Sequence, residues 1–267
     1  MRFKSIFPVF LIVFFVVILL LNFFSRNPDV YPVLRLFAFV VSIGLGIIST
    51  IYAANAYGFG SEHGRALLFI AAGMVFILIG DLTFVFLQIS GQEVPLPSVA
   101  DLLYFLGYFF FVIGFFKEIR IYKVDIRSFD PFARVMVILF VLSIGAIVLY
   151  LEVFAQYDGG LSLIANLARN GYGVFDFFLL TLVVLILKIT LGFGKGKLFL
   201  PWLLIFIGVI SSMTGDVIYS LTFDKYLASV WPYTMLNVFW VGCYLLVSFG
   251  FIRIGNIIRE AQAKFIK

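Results

Sequence analysis

Cysteine, histidine and charge are all scarce in this chain of 267 residues. The single cysteine, Cys243, excludes an internal disulfide and a cysteine-based metal cluster. The single histidine, His63, excludes the zinc-hydrolase patterns that need two or three histidines. Charged residues make up 12% of the chain, against about 25% in a typical soluble domain. We therefore expect no metal and no cofactor, and we expect little of the chain to lie in water.

Hydrophobic residues dominate the composition, at 63% of the chain. Eight apolar segments reach the length of about 20 residues that spans a bilayer. They cover roughly 6–24, 33–54, 66–89, 101–117, 133–153, 172–191, 198–221 and 232–252. No alternation with period two persists, which excludes a strand series, and no small-residue cleavage site precedes Arg26, so the first segment is expected to stay as a helix. The predicted fold is an all-α polytopic membrane bundle that forms one integral membrane domain over residues 1–267.

Lysine and arginine are distributed unevenly over the loops. With the N-terminus inside, 15 of the 19 basic residues lie on the inner side. The four on the outer side are Arg26, Arg35, Arg169 and Lys225. This positive-inside bias predicts a plasma-membrane protein with an even number of spans and both termini in the cytoplasm. The basic residues of the inner loops explain the net charge of +5, and they would also attract membrane lipid. We therefore expect no nucleic-acid partner.

Several sequence features recur at a nearly constant spacing of 134 to 136 residues. The pairs are Arg35 with Arg169, Gly80-Asp81 with Gly215-Asp216, Asp101 with Asn237, Tyr108 with Tyr244, and Gly114-Phe115 with Gly250-Phe251. The spacing predicts two four-helix repeats, at about 1–120 and 130–255, before a short cytoplasmic tail at 256–267. Because four is an even number of spans, the copies are parallel and related by an axis along the membrane normal.

Carboxylates stand inside two of the apolar segments. Asp81 lies about 15 residues into the third segment, or roughly 22 Å at 1.5 Å per residue, and Asp216 lies equivalently in the seventh. A charge in mid-membrane costs roughly 3 kcal/mol on insertion scales, so such residues usually mark functional sites. We predict an outward-facing polar pocket between the repeats. Its predicted ligand-binding residues are Arg35, Asp81, Asp101, Tyr104, Tyr108, Arg169, Asp176, Asp216 and Asn237.

Structural interpretations of the same residues stay open at this point. Ser98 or Asp101 would cap a helix, and the two outer arginines of the repeat would be interfacial anchors. The intramembrane aspartates would pair with arginine or tyrosine and hold helices together. Asp176 would pair with Arg169, and His63 would be a solvated loop residue.

One stretch resembles a known sequence pattern. Gly80-Asp81 is followed by the run from Pro97 to Tyr104, PSVADLLY, and then by Gly107-Tyr108. This resembles multi-helix membrane sensory regions of bacterial signalling proteins, in which a GD helix is followed by PS-x-AD-x-x-Y ahead of a diguanylate cyclase or histidine kinase domain. The resemblance implies a sensory module. Only a short tail follows Arg253, so we expect a separate signalling partner.

A second resemblance is to lysoplasmalogenase-like eight-helix membrane hydrolases. It is carried by the Gly-Asp of the third segment, the later acid and the Ala-x-Leu-Leu-Tyr run, in which Asp101 stands at the position of that family's histidine. The resemblance implies that Asp81 and Asp216 are paired catalytic acids acting on a lipid. A binding or sensory module for a small molecule or lipid is our leading hypothesis. A lipid hydrolase is the first alternative and a small-solute transporter the second.

Overall fold

A computed structural model of the chain describes residues 3–24, 31–90, 97–122, 130–192, 196–228 and 230–265. Within these ranges it contains nine α-helices and no β-strand. The helices are α1 (Phe3–Phe24), α2 (Tyr31–Tyr57), α3 (Glu62–Ile89), α4 (Val99–Ile121), α5 (Pro131–Val148), α6 (Leu163–Asn170), α7 (Tyr172–Gly192), α8 (Phe199–Leu227) and α9 (Asn237–Phe265). A π-helical turn at Leu149–Phe154 continues α5, and a 3₁₀ turn at Tyr233–Leu236 precedes α9.

Eight helical segments in the described part of the chain are long and apolar enough to cross a membrane. The prediction of an all-α protein with eight membrane-length helices is therefore confirmed, and the architecture is that of a multi-pass membrane protein. Two details differ from the sequence interpretation. The short helix α6 was not expected, and α9 continues well past residue 252 to Phe265, so most of the predicted tail is helical.

The connection between α2 and α3 is a tight turn. Gly58 has φ +87°, a backbone conformation that L side chains rarely adopt, and its carbonyl accepts hydrogen bonds from the backbone N–H and the hydroxyl of Ser61. Ser61 then caps α3, because its hydroxyl oxygen accepts from the backbone N–H of Gly64. Gly58-Phe59-Gly60 thus forms a turn that reverses the chain.

Six helices form a closed ring. Going round it, the order is α2, α3, α4, α7, α8 and α9, and α9 packs back against α2. Helix α1 lies outside the ring against α9 and α2, and α5 lies outside against α7. Both outer helices expose many large apolar side chains, as expected for surfaces that face lipid.

The two ends of the bundle are distinguished by which helices begin and finish there. Helices α2, α4, α7 and α9 begin at one end, which we call the cavity end, and α3 and α8 finish there. The last turn of α1 also lies there, since Phe23 contacts Trp231 just before α9. The start of α1 and the last turns of α9 therefore lie at the opposite end.

Candidate functional site

A cavity of about 100 Å³ lies at the centre of the ring near the cavity end. All six ring helices contribute to its wall. The lining residues are Arg35, Phe39, Ile77, Asp81, Phe84, Asp101, Tyr104, Tyr108, Tyr172, Ser212, Asp216, Tyr219, Tyr226, Trp240 and Tyr244. Three carboxylates, one guanidinium and many aromatic rings therefore surround one small space.

Asp81 is 5% exposed and is approached by two side chains. The Tyr104 hydroxyl donates to Oδ1 over 2.8 Å, and Nη2 of Arg35 lies 3.8 Å from the same oxygen. Tyr104 can reach Asp81 because α3 carries Gly80 at the crossing, where a Cβ would come within 2.7 Å of the Tyr104 ring. The missing side chain at Gly80 thus lets α4 place its hydroxyl on the carboxylate.

Arg35 lies inside the bundle, with a relative exposure of 5%. Its guanidinium lies over the rings of Phe39, Phe84 and Tyr226 at 4.7 to 5.4 Å, and Nη1 donates to Oε1 of Gln88 over 3.3 Å. The interpretation of Arg35 as an interfacial anchor is therefore wrong. Burial of the guanidinium is tolerated because aromatic faces and a carboxylate compensate for its lost hydration.

Asp216 is held by donors from α4 and α9. Trp240 Nε1 donates to Oδ1 over 2.9 Å, and the Tyr108 hydroxyl lies 3.1 Å from Oδ2. The same hydroxyl lies 3.2 Å from Oδ1 of Asp176, which is buried behind the cavity wall. Because a hydroxyl carries one proton, Tyr108 can donate to only one of these two carboxyl groups at a time.

Asp101 combines a structural role with a place in the cavity wall. Its Oδ2 accepts from the backbone N–H and the hydroxyl of Ser98, which completes a capping box at the start of α4. Its Oδ1 accepts from the Tyr172 hydroxyl over 2.7 Å and so ties α4 to α7. The interpretation of Asp101 as a helix cap is therefore confirmed, while its role in ligand binding stays a prediction.

Two other predicted site residues, Asp176 and Asn237, lie outside the wall of this cavity. Asn237 is fully buried at the start of α9, where its Oδ1 accepts from the Tyr226 hydroxyl over 2.8 Å. The side chain of Arg169 lies outside the described residues, so neither its predicted site role nor its pairing with Asp176 is tested. Six predicted residues do meet at the cavity: Arg35, Asp81, Asp101, Tyr104, Tyr108 and Asp216.

Seven aromatic side chains of the wall were absent from the predicted site, among them Tyr172, Tyr219, Tyr226 and Trp240. Two of these four carried a signal in the sequence. Trp240 follows Tyr104 by 136 residues, the repeat spacing, and Tyr172 precedes Asp176 by four residues and thus shares its helix face. Tyr219 and Tyr226 had no such signal, because α8 is aromatic and apolar on several faces.

A second polar cluster lies at the opposite end of the bundle. Glu118, which is 1% exposed, lies 2.8 Å from Nδ1 of His63 and within 3.5 Å of the Tyr122 hydroxyl. The His63 ring stacks on Tyr57 at 4.6 Å between centroids. Burial, together with the neighbouring Glu118 carboxylate, raises the pKa of Tyr122 above its usual value. The interpretation of His63 as a solvated loop residue is therefore wrong, since it belongs to α3 and pairs with a buried acid.

Comparison with known proteins gives no further assignment. The chain matches no protein-family model, no curated protein and no solved structure.

Proposed function

We propose that this protein is an intramembrane ligand-binding module with a sensory role. The observation that carries the proposal is the central cavity, where side chains of all six ring helices converge on a small space. A largely apolar and aromatic pocket with a few polar groups is the usual form of a small-molecule site. Charged groups inside a membrane protein are costly and are typically retained for function.

The sensory part of the proposal is supported by the shape of α9. This helix carries Trp240 in the cavity wall near its start and is 29 residues long in all, about 44 Å at 1.5 Å per residue, ending at Phe265. Near its far end Asn256 accepts from Tyr52 over 2.8 Å, and Gln262 donates to the backbone of Ala56 over 2.9 Å. A movement of α9 at the cavity would therefore be transmitted to the opposite end, where a separate signalling partner would bind.

The proposal includes a duplicated, outward-facing arrangement of the two halves. Exchanging α2 with α7, α3 with α8 and α4 with α9 leaves the neighbour order of the ring unchanged. Contacts correspond as well: a Cβ at Gly114 would meet Ile70 and the Ala66 carbonyl, and a Cβ at Gly250 would meet Ile205 and the Pro201 carbonyl. The spacings are 135 to 136 residues, which supports duplication. The positive-inside bias places the cavity end outside.

A transporter is less well supported, because aromatic packing fills the bundle below the cavity. A smaller, mostly apolar cavity of about 60 Å³ adjoins the first beyond Tyr108. Phe115, Trp202 and Phe251, all buried, pack edge to face between that space and the opposite end. A hydrolase would use Asp81 and Asp216, but Asp81 is already engaged by a cation and a hydroxyl.

Native mass spectrometry of the full chain, purified in its natural lipid, tests the proposed binding role. We expect a retained small molecule in the wild type and its loss in Asp81→Asn and Asp216→Asn, with melting temperatures within a few degrees of the wild type. Asp158→Asn is the matched control, because Asp158 is exposed and its Oδ1 accepts from the backbone N–H of Gly160, which asparagine can also do. Unfolding of both cavity variants with no retained molecule in the wild type would favour a purely structural role for the acids.

A further inference from the structure

The charge and the aromatic content of the cavity indicate the class of ligand. Asp81, Asp101 and Asp216 line it together with a single cation, Arg35. Arg35 is already bound by three rings, by Gln88 and by Asp81. The donors to Asp101 and Asp216 are hydroxyl, indole and backbone groups, which orient a carboxylate without adding positive charge. The wall is thus richer in acids than in bases.

Asp81 presents its carboxylate to the cavity. It lines the cavity wall and is only 5% exposed, and the Tyr104 hydroxyl and the Arg35 guanidinium both approach its Oδ1. A carboxylate held away from water is costly unless positive charge or hydrogen bonds compensate it. An occupant of the cavity with a positive charge would lower that cost.

The surrounding rings favour an organic cation over a metal ion. The rings of Tyr104, Tyr108, Tyr244 and Trp240 line the cavity, and aromatic faces attract ammonium groups. A hard metal ion would instead need six or more oxygen ligands or a cluster of acids. Among the described residues, no group of three or more acidic, histidine or cysteine side chains is placed to hold a metal.

We propose that the cavity binds a small organic ammonium compound, with its cationic group beside Asp81 and its carbon surface against the tyrosine and tryptophan rings. This inference rests on the proposed binding function and specifies its ligand. The ammonium group occurs both in free amines and in the headgroup of phosphatidylcholine, so the chemistry is shared by two sources. A volume of about 100 Å³ admits a molecule of only a few carbon atoms or a single headgroup.

Tryptophan fluorescence tests this directly, because Trp240 lies in the cavity wall and the buried Trp202 lies below it. The full chain, with the exposed Trp231 changed to phenylalanine (Trp231→Phe), is purified in a maltoside detergent, which has no ammonium group. It is titrated with choline chloride, with 3,3-dimethyl-1-butanol as the uncharged analogue of the same shape, with dihexanoylphosphatidylcholine, and with sodium chloride as the salt control. We expect a saturable change with choline and none with the alcohol or sodium chloride.

The titrations test the class of ligand independently of the proposed binding function. Saturation by dihexanoylphosphatidylcholine alone supports the same chemistry with a lipid as its source. Equal responses to choline and the alcohol, or no response to either cation, overturn the inference, while the proposed binding role still depends on the mass spectrometry.

Variants at two of the three cavity carboxylates give a second readout of the ammonium site. Asp81→Asn should weaken choline binding by about tenfold or more, because the neutral amide no longer attracts the cation. Asp158→Asn should leave choline binding unchanged. If Asp81→Asn does not fold, Asp216→Asn takes its place, since removal of a second negative charge from the same cavity wall should also weaken choline binding. Unchanged choline affinity in the folded variant would overturn the assignment of the cation to these carboxylates.

Discussion

At the scale of single residues, buried acids in this protein are satisfied in different ways. Asp101 is fully engaged by the helix cap and by Tyr172. At Asp81, Tyr104 and Arg35 both approach Oδ1, and the carboxylate lines the cavity. Glu118 pairs with His63, and its Oε2 has no hydrogen-bond partner among the described residues. Location therefore distinguishes these acids: Asp81 and Asp101 line the cavity, whereas Glu118 lies in the cluster at the opposite end.

The His63–Glu118 pair should be energetically coupled. His63→Ala leaves the Glu118 carboxylate buried without its nearest partner, and we expect a loss of about 1–3 kcal/mol in the free energy of unfolding. The double variant His63→Ala/Glu118→Gln should lose less than the sum of the single variants, because the neutral amide no longer needs a counter-charge. Denaturant titration of all four proteins in one detergent measures the coupling. Strictly additive losses would show that the two side chains act independently.

At the scale of elements, close helix packing depends on glycine. Helices α3 and α4 approach each other closely at Gly73 and Gly107, where a Cβ on either residue would come within 3.0 Å of the other residue's carbonyl oxygen. In a membrane, where lipid tails are as apolar as the side chains, such small-residue contacts are a main source of helix association. The same crossing brings Tyr104 within reach of Asp81, so packing and site geometry are linked.

Gly73→Ala should therefore be destabilising, by about 1–3 kcal/mol, because the added methyl group overpacks a tight crossing. Gly44→Ala is the matched control on α2, since no atom lies within 4 Å of the position its Cβ would take. The control should be neutral or slightly stabilising, as alanine favours the helix. Melting temperatures of the two variants, measured side by side, should be lowered in Gly73→Ala and not in Gly44→Ala. Similar shifts in both would mean that the α3–α4 crossing tolerates a wider separation.

At the scale of the whole molecule, the ring separates two polar regions. The cavity lies at one end, the His63–Glu118 cluster lies at the other, and apolar packing fills the space between them. The start of α1 and the last turns of α9 both lie at the end of the bundle that holds His63, in agreement with an even number of spans. The orientation of this arrangement in the membrane stays a prediction from the loop charges.

Cysteine labelling in intact cells checks that orientation. In a Cys243→Ala background, Lys225→Cys marks the cavity end and Gly60→Cys marks the opposite end, since both positions are exposed. A membrane-impermeant maleimide added outside should label position 225 and leave position 60 unlabelled until the cells are opened. Labelling in the reverse order would place the cavity on the cytoplasmic side and remove the outward-facing site from the proposal.

The amino-acid sequence was sufficient for the features that depend on composition and local pattern. Eight apolar runs predict eight membrane-length helices because a bilayer leaves the backbone no other way to satisfy its hydrogen bonds. Asp81 and Asp216 are recognisable from sequence because an acid in an apolar run is costly wherever it points. Ser98 and Asp101 are recognisable as a cap because their interaction spans only three residues.

Tertiary structure alone decided which side chains meet across the bundle. Arg35 turns inward because α3 and α8 supply aromatic faces and a carboxylate, which lie far from it in the chain. His63 and Glu118 are separated by 55 residues, and neither stands in a pattern that predicts the other. In a helix that is apolar on every side, periodicity does not indicate the inner face. The aromatic wall of the cavity therefore follows from helix packing, which close contacts at glycine determine.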